Sequence, residues 1–309
     1  MKKLLAIVSL TALMTTSALA GSVGVSMAAF DDNFLTVLRN GMIKHAESLP
    51  NTDLQVEDAQ NDVGKQLNQI QNFIASGVDA IIVNPVDTDA TVAMSKAAEA
   101  AGVPLVYVNR EPVNVDTMPD NQAFVASNEI VSGTLQAFEV CKLLGGQGNV
   151  VVMMGELSNQ AAVQRTADVH DVFKLPMCAG IKIVEEQTAN WSRVQGADLI
   201  TNWLSAGVEF DAVIANNDEM AIGAIQGLKA AGISMDDVVI AGIDATQDAL
   251  AAIKAGDQDL TVFQNAAAQG SGALDAAVAL AAGKSVAQKL YVPFELVTPV
   301  NLANYMDKN

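Results

Sequence analysis

Four apolar runs in this 309-residue sequence stop abruptly at hydrogen-bonding side chains: LVYVNR at Asn109 and Arg110, AVIANND at Asn217, VVIAGID at Asp244, and LTVF at Gln264. In open α/β sheets, ligands bind in the crevice beyond the carboxyl ends of parallel strands, so polar groups gathered there read as a recognition site for a small molecule. Three further segments add to this set. FDDNF supplies Asp32 and Phe34 in the first strand-to-helix loop, TANWSR supplies Trp191 at the mouth of a later helix, and a helical segment supplies Arg165.

Two aromatics facing each other across a cleft, with amides and charges around them, suit a ring whose flat apolar faces stack while its hydroxyl rim is hydrogen-bonded. Arg110 and Arg165 offer rigid donor forks, Asp32 and Asp244 accept, and Asn109, Asn217 and Gln264 do both. Two cations against two anions make the set formally neutral, which favours an uncharged polyol over a phosphate or carboxylate. Each residue also has a plainer reading. Asp32 can simply cap its helix, Trp191 can anchor a helix to the core, and either arginine can sit in a structural ion pair. Charge-assisted hydrogen bonds of this kind are lost to water unless the site closes, which calls for two hinged lobes.

Enzyme chemistry has little support. Asp32 and Asp244 could form a glycosidase carboxylate pair, but each has a cationic or amide neighbour in the set. His45 and His170 lie in helical segments without an HExxH or a nucleophile motif. GGQGNV at residues 145–150 lacks the full phosphate-loop pattern. No cofactor is indicated.

The elements that must position these residues follow an α/β rhythm from Ser22 onward. Candidate strands are SVGVSM, LQVEDA, AIIVN, LVYVN, AFVAS, NVVVMM, IKIVEEQ, AVIAN, VVIAG and LTVFQ. Helical segments lie between them, among them Phe34 to Leu49, Lys65 to Ser76, Thr88 to Ala101, Ala161 to Phe173 and Glu219 to Ala231. Gly77, Gly102 and Gly232 stand where helices should stop. After Asn265 come one more helix, Gln269 to Ala282, and a last extended piece, LYVPFELV. Ten strands are too many for one comfortable domain. The reading is an α/β protein of two Rossmann-like lobes with parallel sheets, joined by three hinge strands near Ser127, Gln264 and Phe294. The first lobe takes residues 21–127 plus 265–293, and the second 128–264 plus 294–309.

Residues 1–20 have a basic start (Lys2, Lys3), a short apolar stretch and a small-residue site at Ala18-Leu19-Ala20, the layout of a secretory signal peptide removed after Ala20. The mature chain is then expected to be soluble and periplasmic. Its formal charge moves from −18 to −20 on loss of the two lysines, a surface that repels nucleic acid. Cys141 and Cys178 are the only cysteines. An oxidising compartment would permit them to pair, and two buried free thiols are the alternative. With no CxxC and no His cluster, no zinc site is expected.

Taken together, FDDNF, QNDVGKQ, VNREP, WSR after TAN, IANNDEMAIGA and GIDAT resemble periplasmic sugar-binding proteins of the ribose and galactose/glucose type, the extracytoplasmic receptors of ABC transporters. The resemblance spans essentially the whole mature length. It implies a periplasmic-binding-protein type I fold, a small neutral sugar or cyclitol as ligand, and an ABC permease in the inner membrane as partner, with a chemoreceptor as a further one. It also implies a ring sandwiched by Phe34 and Trp191, with polar contacts from Asp32, Asn109, Arg165, Asn217, Asp244 and Gln264. Arg110 is similar to the arginine of ribose-binding relatives.

Two departures matter. Galactose/glucose binders carry a His and an Asp upstream of the arginine matching Arg165, and here those positions read as Asn159 and Ala161. Their calcium loop is absent too, since LLGGQGNVV lacks alternating carboxylates. A stacking site that has lost a carboxylate from its anomeric end suits a cyclitol, and ELSNQAA and TANWSR resemble segments of inositol-binding members. The expectation is myo-inositol or a close cyclic polyol. Ribose, allose, galactose and glucose come next, and a chemotaxis or autoinducer receptor of the same fold is the other alternative.

Overall fold

The computed structural model describes residues 21–308; the signal-peptide reading of residues 1–20 falls outside them. The chain opens with β1 (Gly21–Met27), α1 (Asn33–Ala46), β2 (Thr52–Asp58), α2 (Val63–Ser76), β3 (Ala80–Val83), α3 (Thr91–Ala101), β4 (Leu105–Val108) and β5 (Gln122–Ala126). It continues through α4 (Glu129–Leu143), β6 (Gln147–Met154), α5 (Gln160–Phe173), β7 (Gly180–Thr188), α6 (Arg193–Ser205), β8 (Ala212–Ala215), α7 (Asp218–Ala230) and β9 (Val239–Ala241). The remainder is α8 (Gln247–Ala255), β10 (Thr261–Gln264), α9 (Ala266–Ala281), β11 (Lys289–Tyr291) and β12 (Phe294–Val297).

Two parallel sheets result. One has the order β11-β5-β4-β3-β1-β2, the other β7-β6-β8-β9. A short antiparallel pair, β10 with β12, continues the second sheet through bridges from Ala241 to Leu260 and from Asp244 to Phe263. The strands β3 (AIIV), β4 (LVYV) and β8 (AVIA) are buried at every residue, as expected where helices cover both faces of a parallel sheet. The chain passes between the sheets after β5, after β10 and between β11 and β12, which makes the three-stranded hinge.

Helix starts are fixed by side chains at strand ends. Asp32, Asp62, Asn128, Ser192, Asn217, Thr246 and Asn265 each accept a backbone N–H of the helix they precede, satisfying donors that have no intrahelical partner. Gly77 and Gly102 end α2 and α3 at φ of 76° and 69°, where a side chain would be strained. Three details differ from the sequence reading. Phe34 is in the first turn of α1 rather than in the loop before it. The last helix begins at Ala266, because Asn265 caps it. LYVPFELV is two strands, since Pro293 interrupts it where the chain leaves one sheet for the other.

Cys141 at the end of α4 and Cys178 before β7 are joined as a disulfide across 37 residues, both buried. In the chain-entropy account, closing a loop of this size stabilises by about 3 to 4 kcal/mol. The Cys141→Ser/Cys178→Ser variant is expected to lose about that much in urea unfolding, with a largely unchanged circular dichroism spectrum at low denaturant.

Candidate functional site

The nine residues singled out in the sequence meet in one cavity between the two sheets. Asp32, Phe34, Asn109, Arg110, Arg165, Trp191, Asn217, Asp244 and Gln264 line it, joined by Leu35, Asn159 and Ala161. The empty space, counting what opens to solvent, is about 390 Å³, which leaves room for a small molecule and not for an oligosaccharide. A larger, open depression lies at the amino ends of β6 to β9. There the Asp211 carboxylate already accepts the Asn149 N–H at 2.7 Å.

Several site residues have two roles. Asp32 Oδ1 accepts the Leu35 N–H at 2.7 Å, so it caps α1 as well as facing the cavity. Asn217 Oδ1 accepts from Met220 N at 3.0 Å and caps α7, while Nδ2 donates to the Trp191 carbonyl at 3.4 Å. Asn109, at φ 68°, donates to Gln269 Oε1 and accepts from Asn84 Nδ2, both at 3.3 Å. Backbone strain clusters here: Trp191 has φ 62°, and the Asp244-Ala245 pair has 126° and 54°. Non-glycine residues hold such values only where their surroundings enforce them.

For Asp244, that enforcement comes from Asp218. Its buried carboxylate accepts Thr261 Oγ1 at 2.7 Å, Thr246 N at 2.9 Å and Gln258 Nε2 at 3.2 Å, gripping the turn just after Asp244. For Trp191 the device is Gly155. A Cβ there would lie 2.2 Å from the indole ring, so only glycine lets the ring settle against the backbone. Trp191 Nε1 donates to Asn159 Oδ1 at 2.9 Å, and the Arg165 guanidinium carbon is 5.6 Å from the ring centroid.

Arg165 is held by Glu129, a residue the sequence reading missed. Nε and Nη2 donate to the two Glu129 carboxylate oxygens at 2.7 and 3.0 Å, Nη1 donates to Asn216 O at 2.6 Å, and Nη2 reaches Gln264 Oε1 at 3.5 Å. Glu129 opens α4 just beyond β5, at a strand end like the others, and that position was its one available signal. With Glu129 counted, the formally neutral set becomes three carboxylates against two guanidiniums. Arg110 donates to Pro85 O at 2.9 Å and Val86 O at 3.4 Å.

Burial pushes the Asp32 carboxyl up, against the lowering pull of the Leu35 N–H and of Arg110. It pushes Asp244 well above the usual carboxylate range despite Arg165 nearby, with Asp218 and Asp32 adding to the rise. Burial works against the charge on Arg165, but Glu129 more than offsets it and raises its pKa. Burial lowers that of Arg110, with Asp32 opposing. Buried carboxylates in this condition are stabilised by hydroxyl donors, which a polyol supplies on every side.

Residues 23–285 match the family described as periplasmic binding protein domain. The chain belongs to the periplasmic binding protein family. It is similar over its full length, and the full length of the relative, to a putative rhizopine-binding protein of Rhizobium meliloti, at 66% identity. Among solved structures, an ABC transporter solute-binding protein from Bacillus halodurans C-125 with bound myo-inositol is 43% identical with a TM-score of 0.89, covering 96% of this chain and 100% of that one. A Caulobacter myo-inositol binding protein bound to myo-inositol is 30% identical with a TM-score of 0.84, covering 93% and 97%. This periplasmic binding protein thus has the type I fold and is a solute-binding protein of the ABC-transporter class, not an enzyme. Among its described residues no helix is long and apolar enough to cross a membrane.

Two outcomes follow from the geometry. Gly155→Ala should displace the Trp191 ring and weaken ligand binding by about tenfold or more while the fold survives, as titration calorimetry and circular dichroism would show. Asp168 of α5, behind Arg165, is raised to about 6 by burial, against a hydrogen bond from Gln164, and its Oδ2 has no hydrogen-bond partner among the described residues. Because the native state holds this proton more tightly than the unfolded chain, stability should fall as pH rises from about 4 to 6. Asp168→Asn should reduce that slope in urea titrations across the same range, leaving the part due to other raised carboxyls, Asp32 and Asp244 among them.

Proposed function

We propose that this protein is the exported receptor of an ABC importer that captures a neutral cyclic polyol, myo-inositol or a close relative, between its two lobes. In this reading the ring stacks between Phe34 and Trp191. Its hydroxyls donate to Asp32 and Asp244 and accept from Arg110, Arg165 and the amides of Asn109, Asn217 and Gln264. A signal peptide ending at Ala20 would deliver the chain to the periplasm, with residues 21–127 plus 265–293 forming one lobe and 128–264 plus 294–308 most of the other.

The observation that carries the proposal is the composition of the cavity wall: two aromatic side chains with polar groups distributed around them. At the place where galactose/glucose binders have an aspartate there is the methyl group of Ala161, and Asn159 is occupied by protein partners. That corner offers no carboxylate to an anomeric hydroxyl, and a cyclitol has none to place there. The myo-inositol bound in two related structures and the rhizopine-binding name of a 66% identical relative support the same ligand class. Closure around the ligand works by differential affinity, since binding can shift the lobes only as far as the ligand prefers the closed form. A membrane permease that reads both lobes at once would then distinguish loaded from empty receptor.

Calorimetric titration of refolded, ligand-free protein tests this. Myo-inositol should bind in the micromolar range or tighter, about −8 kcal/mol, with D-ribose, D-allose, D-galactose and D-glucose weaker. An aldose that binds more tightly than myo-inositol would overturn the ligand assignment. Trp191→Ala and Asp244→Ala should each lower affinity at least tenfold without unfolding the protein, and unchanged affinity in either would remove that residue from the site.

A further inference from the structure

Asn159 is fully buried at the start of α5, yet it does not cap that helix. Its side chain spans the cleft instead. The Trp191 indole N–H can only donate, so the atom it meets at 2.9 Å is the amide oxygen, Oδ1. This fixes the orientation of the amide. Nδ2 therefore faces the other way and donates to the carbonyl of Val86, in the first lobe, at 3.0 Å, with a weaker contact to Ser158 Oγ at 3.3 Å. Val86 O also takes the longer of the two Arg110 bonds. Next to it, the Ser158 carbonyl accepts two bonds from Thr88, from N and from Oγ1, both at 3.0 Å.

Residues 86–88 of one lobe and 158–159 of the other thus form a buried polar seam. On the opposite rim a contact between the lobes is Asn33 Nδ2 to Glu219 Oε1 at 2.7 Å, exposed to solvent. A hydrogen bond in water-accessible surroundings contributes little net, whereas a buried amide left without its partner is costly.

We propose that Asn159 is a positioning residue that couples the orientation of the Trp191 ring to the apposition of the two lobes. Parting the lobes removes Val86 O from Nδ2 and releases the amide from one end, and the indole it holds at the other end is less firmly fixed. Bringing them together fixes amide, indole and Val86 in one line. Both polar atoms of Asn159 are engaged by protein, so the effect assigned to it here runs through Trp191. This rests on the reading that a ring stacks on Trp191 as the lobes close.

The test compares wild type, Asn159→Ala, Asn159→Ser, Trp191→Phe and the Asn159→Ala/Trp191→Phe double variant. Dissociation rates of myo-inositol come from stopped-flow fluorescence, and compaction at saturating myo-inositol comes from small-angle X-ray scattering. Asn159→Ala should release ligand about tenfold faster, with association changed by no more than about twofold, and should compact less completely. Trp191→Phe keeps a ring but loses the donor, so its loss should overlap with that of Asn159→Ala. The double variant should then fall well short of the product of the two single effects. Multiplying effects, or an Asn159→Ala protein with wild-type dissociation and compaction, would overturn the proposal; Asn159→Ser serves the same comparison should the alanine variant not fold.

Failure of the ligand assignment reads differently. Wild type would then not respond to myo-inositol, and the series is run with whichever of D-ribose, D-allose, D-galactose or D-glucose compacts it. Acrylamide quenching of ligand-free protein adds a ligand-independent readout, because Trp191 and the buried Trp203 are the only tryptophans. Asn159→Ala should raise the accessible component about twofold, and no change would count against the indole tether.

Discussion

The buried pairing of Arg165 with Glu129 is the interaction on which the second half of the site depends. Both side chains are almost fully enclosed, and the guanidinium reaches the strand ends at Asn216 and Gln264 from its place on α5. Two charges taken out of water are tolerable only when their geometry is good and their remaining hydrogen-bonding positions are filled. Here Ser132 Oγ completes Glu129 at 2.8 Å and the Asn216 carbonyl helps complete Arg165. The pair therefore contributes less as net stability than as a fixed reference point: the starts of α4 and α5 and the ends of β8 and β10 cannot drift apart without leaving a charge unpaired. Trp191 lies over that guanidinium, and Asp244 feels its field.

The first half of the site carries the charges of Asp32 and Arg110, but its strand ends are tied together by neutral amides. Asn84 accepts from Ala28 N, donates to Val108 O and meets Asn109, linking the ends of β1, β3 and β4. Gln269 of α9 joins Asn109 to Ser127 at the first hinge crossing. The two walls of the cavity thus differ in kind, an amide lattice on one side and an ion pair on the other. A ligand held between them would meet donors and acceptors of both types.

Much of this was legible in the sequence because the physics is local. Apolar runs ending at Asn109, Asn217, Asp244 and Gln264 mark strand ends, and in a parallel sheet all such ends lie on the same edge. That geometry alone brings most of the nine residues together. Trp191 and Arg165 end no strand: Trp191 stood out at the mouth of a helix and Arg165 as a donor in a helical segment, and the family resemblance then tied both to the set. Glu129 was missed because its partner is 36 residues away and pairing across lobed folds has no local signature. Gly155 was missed for a related reason: nothing near it in sequence tells that an indole must lie on it. The split of LYVPFELV could have been anticipated from Pro293, which cannot donate to a ladder.

The capping residues bear on how such a receptor can change its diet. Asp32 and Asn217 each hold a helix start with the same side chain that faces the cavity, so exchange at these positions is confined to the few residue types able to cap. Asn159 and Ala161 hold no helix end with their side chains. Ala161 carries neither a cap nor a bond between the lobes, so the preference of the pocket can change by substitution there with less damage to the frame than at Asp32, Asn159 or Asn217. Easy change is thereby confined to the corner at Ala161, the part of the cavity wall whose side chain has no hydrogen bond to give up.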